Sequence, residues 1–451
     1  MSWKKILSLL LLLAVLGIAI VLVDRHAAGK LAKEGTLLDM PAASVEKIEL
    51  RNKDGRFVIA RRDTQWFLEE PLAAKADKVA LESILDNFCP LKYDRLVAES
   101  GGDLKAFGLK APEIELKLFT KEGSQPGATI LLGLKNSIDD SSYARLAAGG
   151  KVVSIPAYKR NDLEKDLFAL RDKKLLALDT VDVSSLEFNN GNRVLAFTKK
   201  NDQWFMEKPL YSLAQDAKVS DILSAASTLE ALSFIPAADA AARSGFGLDR
   251  PLLTADFHSA GTSRKIVVGK KGERFYAWVA GSSEIGEIGK DFSDKFSGDA
   301  AAFREKKVAR FYAFDAREVS FRRGDFRFSI RKNAAGSWEF SPSLAGKKPS
   351  PEKIDRLLTA LADCQASAFI DRPRVLPGFT ARAEIKTEDP ADPEKLGTVI
   401  MEFSNAEGET VIARTPSLPY LFKIDKQILE KLPGKIDDIT EETPAPADAG
   451  K

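Results

Sequence analysis

Trp66-Phe67-Leu68-Glu69-Glu70-Pro71 returns later in the chain as Trp204-Phe205-Met206-Glu207-Lys208-Pro209, and in shortened form as Trp338-Glu339-Phe340-Ser341-Pro342. Each copy is followed by apolar residues at i, i+3, i+4 and i+7: Leu81/Ile84/Leu85/Phe88, Val219/Ile222/Leu223/Ala226 and Ile354/Leu357/Leu358/Leu361. That spacing marks one face of a helix with 3.6 residues per turn. The first stripe residue lies 15, 15 and 16 residues after its tryptophan, and this agreement defines an internal repeat. A tryptophan held at a fixed distance from an amphipathic helix is a core residue, so all three are expected to pin domain cores rather than to form a recognition platform.

Working outward from the first copy, Val45-Glu46-Lys47-Ile48-Glu49-Leu50 alternates toward its end and Asp54-Gly55 signals a hairpin turn. Phe57 and Ile59 stand two apart on the return strand. The second copy repeats this order with Leu186/Phe188, Asn190-Gly191 and Leu195/Phe197; the third has Val319/Phe321, Gly324-Asp325 and Phe326/Phe328/Ile330. Proline has no N–H to offer, so it ends the ladder after each tryptophan strand. Asp77, Asp216 and Ser350 precede the helical stripes as expected N-caps, Ser350 with Pro351 at the first helical position.

The second half of the unit also recurs. Phe107-Gly108-Leu109 with Pro112 matches Phe246-Gly247-Leu248 with Pro251. Strand-like segments then lead to Leu132-Gly133 and Val268-Gly269, and on to Tyr143 and Tyr276. The closing runs are Leu170-Arg171-Asp172-Lys173-Lys174 and Phe303-Arg304-Glu305-Lys306-Lys307. In the third copy Phe-Gly-Leu is reduced to Pro377-Gly378-Phe379, and no closing run is legible.

Residues 6–23 form an uninterrupted apolar stretch broken only by Ser8 and Gly17, preceded by Lys4 and Lys5 and followed by Asp24 and Arg25. At about 1.5 Å per residue it nearly matches the hydrocarbon thickness of a bilayer. An uncleaved anchor fits it better than a removed signal peptide, whose apolar core is shorter. The order of charge, apolar run and large following body places the bulk of the chain outside the cytoplasm. The expected organisation is a cytoplasmic N-terminus (1–5), a transmembrane anchor (6–23), a connector (24–40), three repeats (41–178, 179–310 and a divergent 311–440) and a disordered tail (441–451). The expected fold class is α+β: an N-terminal transmembrane helix followed by three tandem repeats, each an antiparallel β-meander with an amphipathic helix and further strands.

Composition excludes more than it names. The chain of 451 residues carries 67 basic and 65 acidic side chains, a net charge of +2, without the concentrated basic face of a nucleic-acid binder. Two cysteines, Cys89 and Cys364, occupy like positions after the helices of copies one and three and are expected to be free, buried thiols. Of the two histidines, His26 adjoins the apolar segment and His258 lies in a strand-like stretch, so no Cys/His zinc cluster is available. Gly269-Lys270-Lys271-Gly272 lacks the spacing and hydroxyl of a phosphate loop and reads as a turn. Asp139-Asp140 and Asp437-Asp438 read as turn acids without an ordered ligand loop. The Arg-Asp/Glu-Lys runs at 171–173 and 304–306 read as an inter-unit or helix-end ion network. No catalytic, cofactor-binding or metal-binding residue is assigned. Tyr143, Tyr276 and Trp278 remain as aromatics for a glycan- or peptide-stacking surface.

Taken together, W-x-[LM]-x-x-P, the helix, F-G-L-x-x-P and L-R-D-K make the chain resemble the bacterial DUF4340 family, well over roughly 45–310 and more loosely over 311–440. The resemblance implies a single-span protein of the bacterial inner membrane with an extracytoplasmic body. It also implies, as partners, an ABC transporter permease and a gliding-motility-type auxiliary protein. It supplies no activity and no functional residues. The expected function is a non-enzymatic, membrane-anchored accessory or interaction subunit of such a transport system, with an envelope glycan- or peptide-binding module as the alternative.

Overall fold

The computed structural model describes residues 34–441 apart from 101–102, 122–124, 192, 237–238 and 390–391. The expected anchor at 6–23, most of the connector and the tail beyond Glu441 lie outside the described residues. Among the described residues no helix is long and apolar enough to cross a membrane. The chain divides into two compact units between Lys173 and Lys174.

In the first unit one antiparallel sheet takes its strands in the order Ala74–Lys75, Gln65–Glu70, Gly55–Arg62, Val45–Asn52, Ile114–Thr120, Ala128–Lys135, Ser142–Leu146, Val152–Ile155 and Arg95–Ala98. Alternation sends Ile48, Leu50, Leu116, Leu118, Ile130 and Leu132 to one buried face. Helix α1 (Lys78–Phe88) packs into the same core through Ala80, Leu81, Ile84, Leu85 and Phe88. Each large side chain buried in this way stabilises the fold by about 1.5–3 kcal/mol relative to exposure. Asp77 caps the helix by accepting from the Ala80 N–H at 2.8 Å.

The second unit contains two further sheets. One runs from Ser212–Leu213 through the Trp204 strand (Gln203–Lys208) to Ser233–Pro236, with the same nine-strand order as the first; the other runs from Trp338–Phe340 to Ala368–Ile370 with eight. Helices α2 (Asp216–Ser227) and α3 (Pro351–Ala362) occupy the place of α1, and their stripes are buried. Ser350 caps α3, whereas Asp216 does not cap α2: Gln215 stands at that N-cap without a side-chain bond. The Asp216 carboxylate is engaged elsewhere, accepting from the Trp204 N–H at 3.1 Å and pairing with Arg310 at 2.6 Å.

The α+β fold class is corrected by this architecture, which is predominantly β. Among the described residues its strands form four sheets of two, nine, nine and eight strands, while helix is reduced to one element of 11 or 12 residues per repeat and pieces of seven residues or fewer. The segments after each helix extend the tryptophan-bearing meander itself into one broad sheet. A periodic helical stripe is a strong local signal, whereas short strands paired far along the chain leave only weak alternation, so the sequence overweights the helix.

The chain entering each repeat pairs with the segment that follows that repeat's helix. Gly35–Leu38 pairs with Leu91–Tyr93, Lys174 bridges to Glu230, and Lys307 bridges to Gln365.

Candidate functional site: the closing motif and the junction it builds

In the first repeat Arg171 bridges to Ala76, beside the outer strand that follows Trp66. Two backbone bonds flank the bridge, Asp77 N–H to Leu170 O at 2.9 Å and Asp172 N–H to Lys75 O at 2.8 Å. The second repeat reproduces this register: Arg304 bridges to Ala214, Gln215 N–H donates to Phe303 O at 2.8 Å, and Glu305 N–H donates to Leu213 O at 2.9 Å. The third repeat does so as well. Thr440 bridges to Pro349, Ser350 N–H donates to Ile439 O at 2.8 Å, and Glu441 N–H donates to Lys348 O at 3.1 Å. Ile439-Thr440-Glu441 is therefore the closing motif that the sequence did not reveal. It keeps the apolar and acidic neighbours and replaces the arginine.

That arginine has a purpose visible where repeats two and three meet. Arg304 is buried. Its Nε donates to Ser212 Oγ at 3.0 Å, and Nη1 pairs with Asp371 at 2.6 Å. The guanidinium lies 3.7 Å from the Phe369 ring centroid and 4.8 Å from that of Tyr420, while Nη2 has no hydrogen-bond partner among the described residues. Desolvated cation–π contacts of this kind are worth about 2 kcal/mol each. The Tyr420 hydroxyl reaches back across the junction to accept from the Leu213 N–H at 3.1 Å. Burial pushes the Tyr420 phenol above its ordinary range, against the opposing effect of the bonds to Ser212 and Leu213 and of the Arg304 charge.

A second arginine completes the junction. Arg310 donates to Glu305 at 2.8 Å, to Asp216 at 2.6 Å and to the Ala214 carbonyl at 2.6 Å. Thr415 donates to the Val308 carbonyl at 2.7 Å. In the first repeat Asp77, at the place of Gln215, pairs with Lys173 at 3.1 Å. Burial alone would raise the Asp77 carboxyl, but the Ala80 N–H and the Lys173 ammonium outweigh it and hold it below the usual carboxylate range. Arg310, Asp371 and Tyr420 lie outside any repeated motif, so the sequence carried no signal for them. Chemically the arrangement fixes geometry: two buried or half-buried guanidiniums clamp three carboxylates, a phenol and a backbone edge.

The other residues singled out from the sequence occupy structural positions. Trp204 is buried, and Trp66 and Trp338 are half-buried against their cores. The Phe-Gly-Leu and Leu/Val-Gly elements prove to be halves of one contact. Leu134 N–H donates to Phe107 O at 3.0 Å, and Phe107 packs on Tyr143 at 4.8 Å between centroids. Phe246 packs on Tyr276 at the same distance. Gly247 has φ +73, and a Cβ on Gly269 would meet Phe246 O at 2.5 Å, so both positions require glycine. Gly378 has open space around it, and Phe379 opens a strand, so Pro377-Gly378-Phe379 is not a degenerate copy of this contact.

The proposed stacking aromatics do not form an exposed platform. Tyr276 is buried, and Trp278 donates to the Ser282 carbonyl at 2.8 Å with the Arg243 guanidinium over its ring. His258 lies half-exposed on its strand, 3.7 Å from Asp256. Asp139 pairs with Arg95 and Asp437 with Lys347, each at 2.6 Å; no group of three potential metal ligands occurs among the described residues. Gly269-Lys270-Lys271-Gly272 is the end of one strand and the hairpin turn after it. Cys89 and Cys364 are free and buried, and desolvation pushes their thiols up to about 11 and about 12.

A family model described as "Domain of unknown function (DUF4340)" matches residues 66–243 and again 204–398, the two windows opening on Trp66 and Trp204. The chain belongs to this family. The DUF4340 windows overlap between the second tryptophan strand and the short helix before Phe246, each running from one tryptophan strand past the next. No curated protein matches the chain. Among solved structures, a DnaN sliding clamp (DNA polymerase III subunit beta) from Pseudomonas aeruginosa bound to griselimycin covers 88% of this chain and 99% of its own, at 7% identity and a TM-score of 0.11. A likeness at that score carries no argument about the DUF4340 fold.

Proposed function

We propose that the chain is a non-enzymatic, membrane-anchored extracytoplasmic interaction subunit of an ABC-type, gliding-motility-like transport system of the bacterial inner membrane. The observation that carries the scaffold part of this reading is the junction at Arg304. There Arg304 closes repeat two and is received by Asp371, Phe369 and Tyr420 of repeat three. The transport part, with a permease and a gliding-motility-type auxiliary protein as partners, rests on the family resemblance. Purification of the tagged full chain in mild detergent, followed by mass spectrometry, tests it. Co-purification of an ABC permease is expected; recovery without one, under conditions that preserve a known transporter complex, contradicts the reading.

A second reading, a glycan- or peptide-binding envelope module, is favoured by one observation. Tyr312 and Phe314 stack at 5.3 Å with both rings exposed. Loss of sedimentation with purified cell wall in a Tyr312→Ala/Phe314→Ala double variant is the expected result under that reading, and unchanged sedimentation removes it.

A further inference from the structure

The third sheet lacks the outermost strand of the other two. In repeats one and two the chain turns back after the proline and pairs with the tryptophan strand, Phe67 opposite Lys75 and Leu68 opposite Ala74, then Phe205 opposite Leu213 and Met206 opposite Ser212. The next residue locks the turn: Ala76 N–H donates to Trp66 O at 2.9 Å, and Ala214 N–H donates to Trp204 O at 2.8 Å. Pro349 stands in that place in repeat three, as its bridge to Thr440 shows, and it has no N–H to donate. The loop before it turns on itself through Lys347 N–H to Leu344 O and makes no backbone bond to Trp338–Phe340.

The edge so left open has a defined polarity. Ser341 N–H donates inward to Ser329 O, so by alternation the backbone groups of Glu339 also face the inner strand and those of Trp338 and Phe340 face outward. No bond to these outward groups is found among the described residues. Glu339 takes the position of Phe67 and Phe205 and is exposed; its Oε1 accepts from Asn333 at 2.7 Å.

We propose that this edge binds an extended segment of a partner protein by strand addition, with a small residue opposite Phe340 and a lysine or arginine opposite Glu339. The chain supplies its own template, since Ala74-Lys75 fills the equivalent edge of repeat one with that pairing. Opposite charges directly across a ladder stabilise it and like charges oppose it. Two copies of this edge pairing antiparallel would bring their Glu339 carboxylates together, which disfavours a second copy as the occupant. The inference stands apart from the transport reading: it fails on a peptide titration, and that reading fails on co-purification.

The test titrates the full chain in detergent with a synthetic peptide of the sequence of residues 71–78, and follows deuterium uptake at the Phe340 amide. Saturable protection is expected, with half-saturation near about 1 mM, the scale of a short weakly held strand. Replacing the peptide lysine that corresponds to Lys75 with glutamate should raise the half-saturation point about five-fold. Glu339→Lys in the protein should reverse the preference between the two peptides. No protection up to about 10 mM, equal binding of both peptides, or protection that grows with protein concentration in the absence of peptide would each overturn the proposal, the last in favour of a second copy.

Discussion

Repeats two and three lie in one compact unit and share a strand order, yet they differ at three places. Repeat two has the glycine contact of Gly247 on Gly269, an outer strand at Ser212–Leu213 and an arginine at its closing position. Repeat three has open space at Gly378, Pro349 where the outer strand is locked, and Thr440 where the arginine stands. The backbone register of the closing bridge survives all three changes. The difference teaches that the motifs mark contacts rather than chemistry. Phe-Gly-Leu vanishes together with its glycine partner because the two are one contact, and the closing arginine of repeat two is received by Asp371, Phe369 and Tyr420 of repeat three.

The largest break in this comparison comes from removing the received arginine. Arg304→Ala strips a buried cation from two rings and leaves Asp371 without its partner. Because Asp371 is 40% exposed, the cost falls below the full penalty for an orphaned buried charge, at about 2–3 kcal/mol in chemical denaturation. Thr440→Ala, at the same register in repeat three, should cost about 1 kcal/mol or less. Next comes Gly269→Ala, whose Cβ collides with the Phe246 carbonyl, at about 2 kcal/mol. Gly378→Ala should stay within about 0.5 kcal/mol, since nothing lies near it. Tyr420→Phe removes the acceptor of the Leu213 N–H and should cost about 1 kcal/mol, read as a shift in denaturation midpoint at unchanged slope.

The smallest effect sharpens repeat three by pH. Burial alone would raise the Glu402 carboxyl, but the Arg414 and Arg382 guanidiniums beside it outweigh this and hold it below its ordinary value of 4.5. A carboxylate lowered by folding contributes stability that is fully present above its unfolded value and is lost as pH falls through the lowered folded value. Glu402→Gln should therefore be less stable than the parent protein at pH 7, and the gap should close as pH falls from 4.5 through the lowered folded value. A gap that stays constant down to pH 2.5 would remove the ion pairs from the account.

Much of this was legible in the sequence, for physical reasons that differ by element. The three helices were readable because their apolar periodicity is local, and every residue of the quoted stripes is buried. The tryptophan strands were readable from their fixed offsets. The breadth of each sheet was not, because Val45–Asn52 pairs with Ile114–Thr120 across more than sixty residues and alternation alone does not choose a partner. Asp216 was misassigned as a cap because its carboxylate is claimed by Trp204 and by Arg310, about ninety residues away. Thr440 was hidden because the bridge is carried by the backbone groups of Ile439 and Glu441, which do not depend on the side chain between them.

The central claim, that Arg304 joins repeat two to repeat three, is tested most directly by a double-mutant cycle of Arg304→Ala and Tyr420→Phe on the full chain, read by equilibrium denaturation. The Tyr420 hydroxyl and the Arg304 guanidinium serve the same outer strand, so the two effects should be coupled by about 1 kcal/mol or more. Additivity within about 0.3 kcal/mol would contradict the account, leaving Arg304 a buried charge of repeat two alone.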